Sequence, residues 1–199
     1  MMTTEAPLRI GILALQGGVA EHAGVLRRLG VAPVEVRLPE HLQGLDGIII
    51  PGGESTTIGK LMATSGLAEP LRMSLRQGMP AYGTCAGLIL LARRLSDGSQ
   101  PVLGVMDIRV RRNAYGDQAD SFESAVRVSG LGDEPVRAVF IRAPVVEQVG
   151  PGVEVLAALA DGTPIVVREG ALLASAFRPE LAGDTRLHQF FAEMCRRPA

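Results

Sequence analysis

The sequence predicts an α/β fold, a doubly wound mixed sheet forming a single domain over residues 1–199. Three observations carry that prediction. In the first half, short and wholly apolar runs alternate with segments of helical spacing across tight glycine turns, the pattern of parallel strands covered by helices. In the second half strand follows strand with few helices between them, and turns such as Asp161-Gly162 suggest hairpins. A chain of 199 residues with 47% apolar content is long enough to bury one full core.

The elements follow in order. Arg9–Leu15 is a continuous apolar run of the kind a central parallel strand needs. Gln16-Gly17-Gly18 turns the chain, and Val19–Leu29 carries helical spacing up to Gly30. Val34–Arg37 and Gly47–Ile50 read as the next strands, the second broken by Pro51-Gly52-Gly53. Glu54-Ser55-Thr56-Thr57 opens a helix through about Thr64, with hydroxyls available as caps. A helix over Leu67–Gln77 is followed by Gly78, a short buried strand after Pro80, and a helix running through Leu95. Strands are expected over Val102–Val110, Ser124–Val128, Val136–Ile141, Val153–Leu159, Pro164–Arg168 and Ala171–Ala176. Phe177–Gly183 reads as a loop, and Thr185–Arg196 as a closing amphipathic helix.

A formal net charge of −1 gives no reason to expect nucleic acid or an anionic membrane as partner. No apolar run approaches the roughly 18–20 residues that span a bilayer, and Met1–Pro7 has no secretory pattern. Two distant cysteines in such a chain are expected to be reduced, which points to the cytoplasm. No metal or cofactor is expected; Pro51–Thr57 lacks the spacing of a phosphate loop.

The chemistry concentrates at Gly83-Thr84-Cys85-Ala86-Gly87. Small residues flanking one cysteine, after a buried strand and before a helix, suit a sharp nucleophile elbow with sulfur in place of oxygen. At a helix start Cys85 would meet free N–H groups and the positive end of the dipole, which favours thiolate. The Ala86 N–H would point where an oxyanion forms, and Pro51-Gly52-Gly53 could supply a second donor. The same residues also fit a small buried cysteine beside packing glycines, and an ordinary glycine turn. Cys195, in the last helix, reads as a bystander.

These segments together resemble a known family. Gly11–Gly17, Pro51–Thr56, Gly83–Leu88, Arg112-Asn113-Ala114-Tyr115-Gly116, Ser121-Phe122-Glu123, Ile141-Arg142-Ala143-Pro144 and Phe177-Arg178-Pro179-Glu180-Leu181 resemble the glutaminase subunit of pyridoxal 5'-phosphate synthase. That is a flavodoxin-like, class I, triad-type glutamine amidotransferase. The resemblance implies that Cys85 attacks the side-chain amide of L-glutamine, with Gly53 and Ala86 as the oxyanion hole. It implies that Gly52, Gly53, Glu54, Arg112, Ile141 and Arg142 hold the substrate. Ammonia would pass to a synthase subunit, with no nucleic acid or membrane involved. A glutamine zwitterion suits a Glu and fork-shaped Arg partners.

One position departs from the pattern. Family members carry His-Pro-Glu where this chain has Arg178-Pro179-Glu180. Glu180 matches the orienter of the catalytic triad, but Arg178 stands at the base position and stays protonated. It could stabilise a thiolate by charge, not accept a proton. His22 and His188, on expected helices, match positions outside the triad, and His41 reads as part of a surface loop. Two other readings stay open: a catalytically silent subunit that binds glutamine and synthase, and a flavodoxin-like ligand-binding module without amide chemistry.

Overall fold

The computed structural model describes residues 7–112 and 121–196. A seven-stranded mixed sheet organises it. In chain order its first half comprises β1 (Arg9–Leu13), α1 (Val19–Arg28), β2 (Ala32–Val36), β3 (Gly47–Ile50), α2 (Ser55–Thr64), α3 (Ala68–Arg76), β4 (Ala81–Thr84) and α4 (Ala86–Leu91). Then come β5 (Ala92–Leu95), β6 (Met106–Arg111), β7 (Phe122–Val126), β8 (Val136–Phe140), β9 (Val145–Val149), β10 (Glu154–Ala158), β11 (Pro164–Glu169), β12 (Leu172–Ser175) and α5 (Arg186–Arg196).

The main sheet has the order β10-β11-β12-β4-β3-β1-β2. The five strands from β12 to β2 run parallel, and β10 and β11 pair antiparallel at one edge. The parallel strands are apolar because both faces are covered. Ile48, Ile49 and Ile50 are all fully buried, each contributing on the order of 1.5–3 kcal/mol. Successive residues of β4 point to opposite faces. Tyr82 meets His188 of α5, which is bonded to His22 of α1, while Gly83 lies against Gly87 of α4. Helices therefore cover both faces. The chain leaves β1 for β2 on one side and crosses back to β3 on the other. The crevice at the carboxyl ends of β1 and β3 is the switch point where such sheets bind ligands.

Two smaller sheets, β5-β6-β9 and β7-β8, complete the described structure. Several boundaries differ from the sequence reading. The helix after Cys85 ends at Leu91, and Ala92–Leu95 is a strand parallel to β6. The cause lies in the segment expected to start a strand at Val102. Its Leu103 and Val105 N–H groups donate to the Leu90 and Leu91 carbonyls, which stops α4 and delays β6 to Met106. β9, where no strand is expected, pairs antiparallel with β6. The expected loop over Phe177–Gly183 contains a 3-10 turn, Pro179–Leu181. No described helix is long and apolar enough to cross a membrane.

Candidate active site

Cys85 occupies the junction of β4 and α4 with φ 51° and ψ −101°, a left-handed conformation that costs a non-glycine residue about 1–3 kcal/mol. Surrounding contacts hold it there. Its N–H donates to the Ser175 carbonyl at 2.8 Å, and α4 presses so close to β3 that a Cβ on Gly87 would collide with the Ile50 carbonyl. The thiol turns towards the Ile141 carbonyl at 3.8 Å. Burial pushes the Cys85 thiol up to about 11, outweighing the Arg178 charge and the Ala86 N–H, both of which favour thiolate. The helix start does favour thiolate, as expected, through the Ala86 N–H, but burial outweighs it. The side chain is nearly dry, and desolvation dominates.

A cavity of about 470 Å³ opens over the thiol, lined by Gly53, Glu54, Ser55, Cys85, Ala86, Ile89, Arg112, Ile141, Arg142 and Arg178. Eight of these were singled out from the sequence; Ser55 and Ile89 were not. Gly52 and Glu180 lie just behind the lining. The Gly52 N–H donates to Thr84 Oγ1 at 3.1 Å and its carbonyl accepts from the Gly18 N–H at 3.0 Å. In a trans peptide C=O and N–H are opposed, so the Gly53 N–H points away from Gly18. Gly17, at φ 104°, permits this approach, because a side chain there would strike the Gly52 carbonyl.

The charged residues are committed to different degrees. Glu54 caps α2, accepting from the Thr56 and Thr57 N–H groups at 3.0 and 2.7 Å, so its carboxylate replaces the hydroxyl caps expected there. Bonds from Thr57 hold its pKa below the usual carboxylate range. Arg112 bonds Asp97, Thr56 and Gln100. Arg142 sits at the exposed rim with φ 45°. The Asn113–Gly116 part of the Arg112 sequence motif lies outside the described residues.

Arg178 reaches across the cavity wall. Its Nε donates to Glu180 Oε1 at 2.8 Å, and its N–H bonds the Val139 carbonyl of β8 at 2.9 Å. Glu180 is buried, which raises its pKa against the opposing pull of Arg178. Behind it lies a polar cluster that sequence reasoning did not single out. His22 Nδ1 is 2.9 Å from His188 Nε2, and His22 Nε2 is 3.2 Å from Thr84 Oγ1 and 3.5 Å from Glu180 Oε2. One proton lies between His22 Nδ1 and His188 Nε2 and one between His22 Nε2 and Thr84 Oγ1, while Glu180 Oε2 is buried with no hydrogen-bond partner among the described residues. Burial lowers both histidines' pKa values, His188 to about 4, so the pair is neutral. These residues are 166 positions apart, and only the docking of α5 on α1 joins them.

A slightly larger cavity, about 490 Å³, surrounds Cys195 and Phe190 at the opposite ends of the strands. It offers a half-buried thiol that burial pushes up to about 12, with no triad partner lining it. The Cys85 cavity is the candidate site.

Residues 12–197 match the SNO glutamine amidotransferase family. The chain belongs to this family. It is 56% identical over 189 residues to the pyridoxal 5'-phosphate synthase subunit PdxT of Roseiflexus sp. (strain RS-1), covering 94% of this chain and 100% of that protein. The PdxT of Desulforudis audaxviator is 56% identical over 186 residues, covering 94% and 98%. A crystal structure of a glutamine amidotransferase superposes with TM-score 0.89 at 49% identity over 94% of this chain and 99% of that one. The resemblance and the fold class read from the sequence are thus borne out. A structure of PurLQS from Thermotoga maritima, at TM-score 0.72 and 16% identity over 95% of this chain and 99% of that one, shares the fold. This member of the SNO family thus has a cysteine elbow at Cys85, a glycine loop at Gly52-Gly53 and a buried Glu180 bonded to Arg178.

Proposed function

We propose that this chain hydrolyses L-glutamine to L-glutamate and ammonia through a thioester on Cys85. The ammonia passes to a synthase subunit that makes pyridoxal 5'-phosphate in the cytoplasm. One observation carries the reading: a strained elbow cysteine opens into a cavity ringed by arginines and glycine-loop backbone, with a buried carboxylate behind it. The partner follows from the PdxT relatives, named as synthase subunits.

In this reading Gly52, Gly53, Glu54, Arg112, Ile141 and Arg142 hold the amino acid, and the Cys85 sulfur attacks the side-chain amide carbon. The tetrahedral oxyanion is met by the Gly53 and Ala86 N–H groups, donors of the kind worth about 10²–10³ in rate. Ammonia departs, water cleaves the thioester, and glutamate leaves. Arg178, fixed on Glu180, stands where the proton acceptor is needed and cannot serve as one. Turnover is therefore slow. That same pairing favours the second reading, a subunit that binds glutamine and synthase without hydrolysis.

Ammonia release from glutamine, measured with and without the synthase, tests the proposal. The expected result is Cys85-dependent release that the synthase stimulates. Release that Cys85→Ala leaves intact would place the chemistry elsewhere; no release in either condition would support the silent subunit.

A further inference from the structure

Arg178 has hydrogen-bonding capacity that nothing in the mechanism uses. Of its five side-chain N–H groups, the single Nε donates to Glu180, and the four on Nη1 and Nη2 have no acceptor among the described residues. The side chain is 20% exposed and lines the cavity beside Cys85. A Cβ on Gly18 would lie 2.6 Å from its Nη2 and one on Gly52 2.9 Å from its Nε, so the guanidinium is pressed against both glycine backbones. Of the other charges lining the cavity, Arg142 stands at the exposed rim, away from the buried Glu180, and two are engaged. Arg112 is paired with Asp97, and the Glu54 carboxylate is spent on capping α2. Cys85 is a neutral thiol at neutral pH because it is buried, so no thiolate competes for Arg178.

A side-chain amide placed there offers these N–H groups one oxygen and turns an NH2 donor against them. A carboxylate offers two oxygens to the guanidinium fork and forms charge-assisted bonds about twice as strong as neutral ones. We propose that Arg178 makes the inner end of the Cys85 cavity a carboxylate receptor, so that this chain holds L-glutamate more tightly than L-glutamine. The inference rests on reading the cavity as the site of a five-carbon amino acid. It changes which member of the substrate–product pair the cavity prefers.

Calorimetric titration of the full-length Cys85→Ala chain, free and with the synthase, tests this without turnover. Glutamate should bind about tenfold or more tighter than glutamine, the ratio expected of a charge-assisted bond. Adding Arg178→Gln, or in a second variant Arg178→His, should abolish or reverse that preference. Equal affinities with Arg178 present, or a glutamate preference that survives both substitutions, would overturn the inference and leave the amino-acid site standing. If neither amino acid binds any of these proteins while circular dichroism shows them folded, the reading of the cavity falls, and the inference with it.

Discussion

Burial and charge act on Cys85 in opposite directions, and burial prevails. The neighbouring Arg178 guanidinium and the Ala86 N–H favour thiolate, yet the thiol sits at about 11. Alkylation by iodoacetamide follows the thiolate. Its rate at Cys85 should climb about tenfold per pH unit from neutrality towards pH 11, ahead of Cys195, whose thiol is pushed to about 12. Arg178→Gln removes a stabilising charge and should move the Cys85 profile to higher pH. Peptide mapping checks both, and a labelling plateau below pH 8 would contradict the dominance of burial.

At the scale of elements, the elbow depends on how closely α4 approaches β3. Gly87→Ala would drive a methyl into the Ile50 carbonyl, and backbone yields less readily than a flexible side chain. A loss of about 1–3 kcal/mol is expected in urea unfolding. An unchanged midpoint would mean that α4 can retreat. The docking of α5 on α1 carries a pH signature. His22 and His188 have folded pKa values below the unfolded value of about 6.5, so the unfolded chain binds more protons as pH falls. The His188 contribution is present above pH 6.5 and is lost between about 6.5 and 4, by up to about 1.4 kcal/mol per pH unit, and that of His22 is lost in the same direction as pH falls below 6.5. Glu180, whose folded pKa is raised, works the other way and offsets part of the loss. Urea midpoints should fall from pH 7 to pH 5, and His188→Gln should flatten the decline. A flat profile in the parent chain would show that these histidines are not buried neutral.

For the molecule as a whole, the central sheet was legible because its parallel strands are buried on both faces, so that runs such as Ile48-Ile49-Ile50 need no periodicity to be read. The Cys85 elbow and the Gly52-Gly53 loop were legible because close backbone approach admits only small residues. β9 was not, because Val145–Val149 is largely exposed and its glutamate and glutamine hide the alternation. The end of α4 was not, because Leu88–Ala92 suits helix or strand until Leu103 and Val105 take its carbonyls. The His22–Glu180 contact was invisible for a different reason: it joins α1 to a turn over 150 residues later, and no local pattern encodes such a pairing. Arg178 was visible as a departure, but its fixed seat on Glu180 and its unused donors required the fold. The most direct test is ammonia release from glutamine in the presence of the synthase, comparing this chain with Arg178→His at matched concentrations and Cys85→Ala as zero. General acid–base catalysis is worth about 10²–10⁴-fold, so Arg178→His should raise the rate by at least about 10²-fold. Equal rates in the two proteins would contradict the assignment of Arg178 to the place of the base.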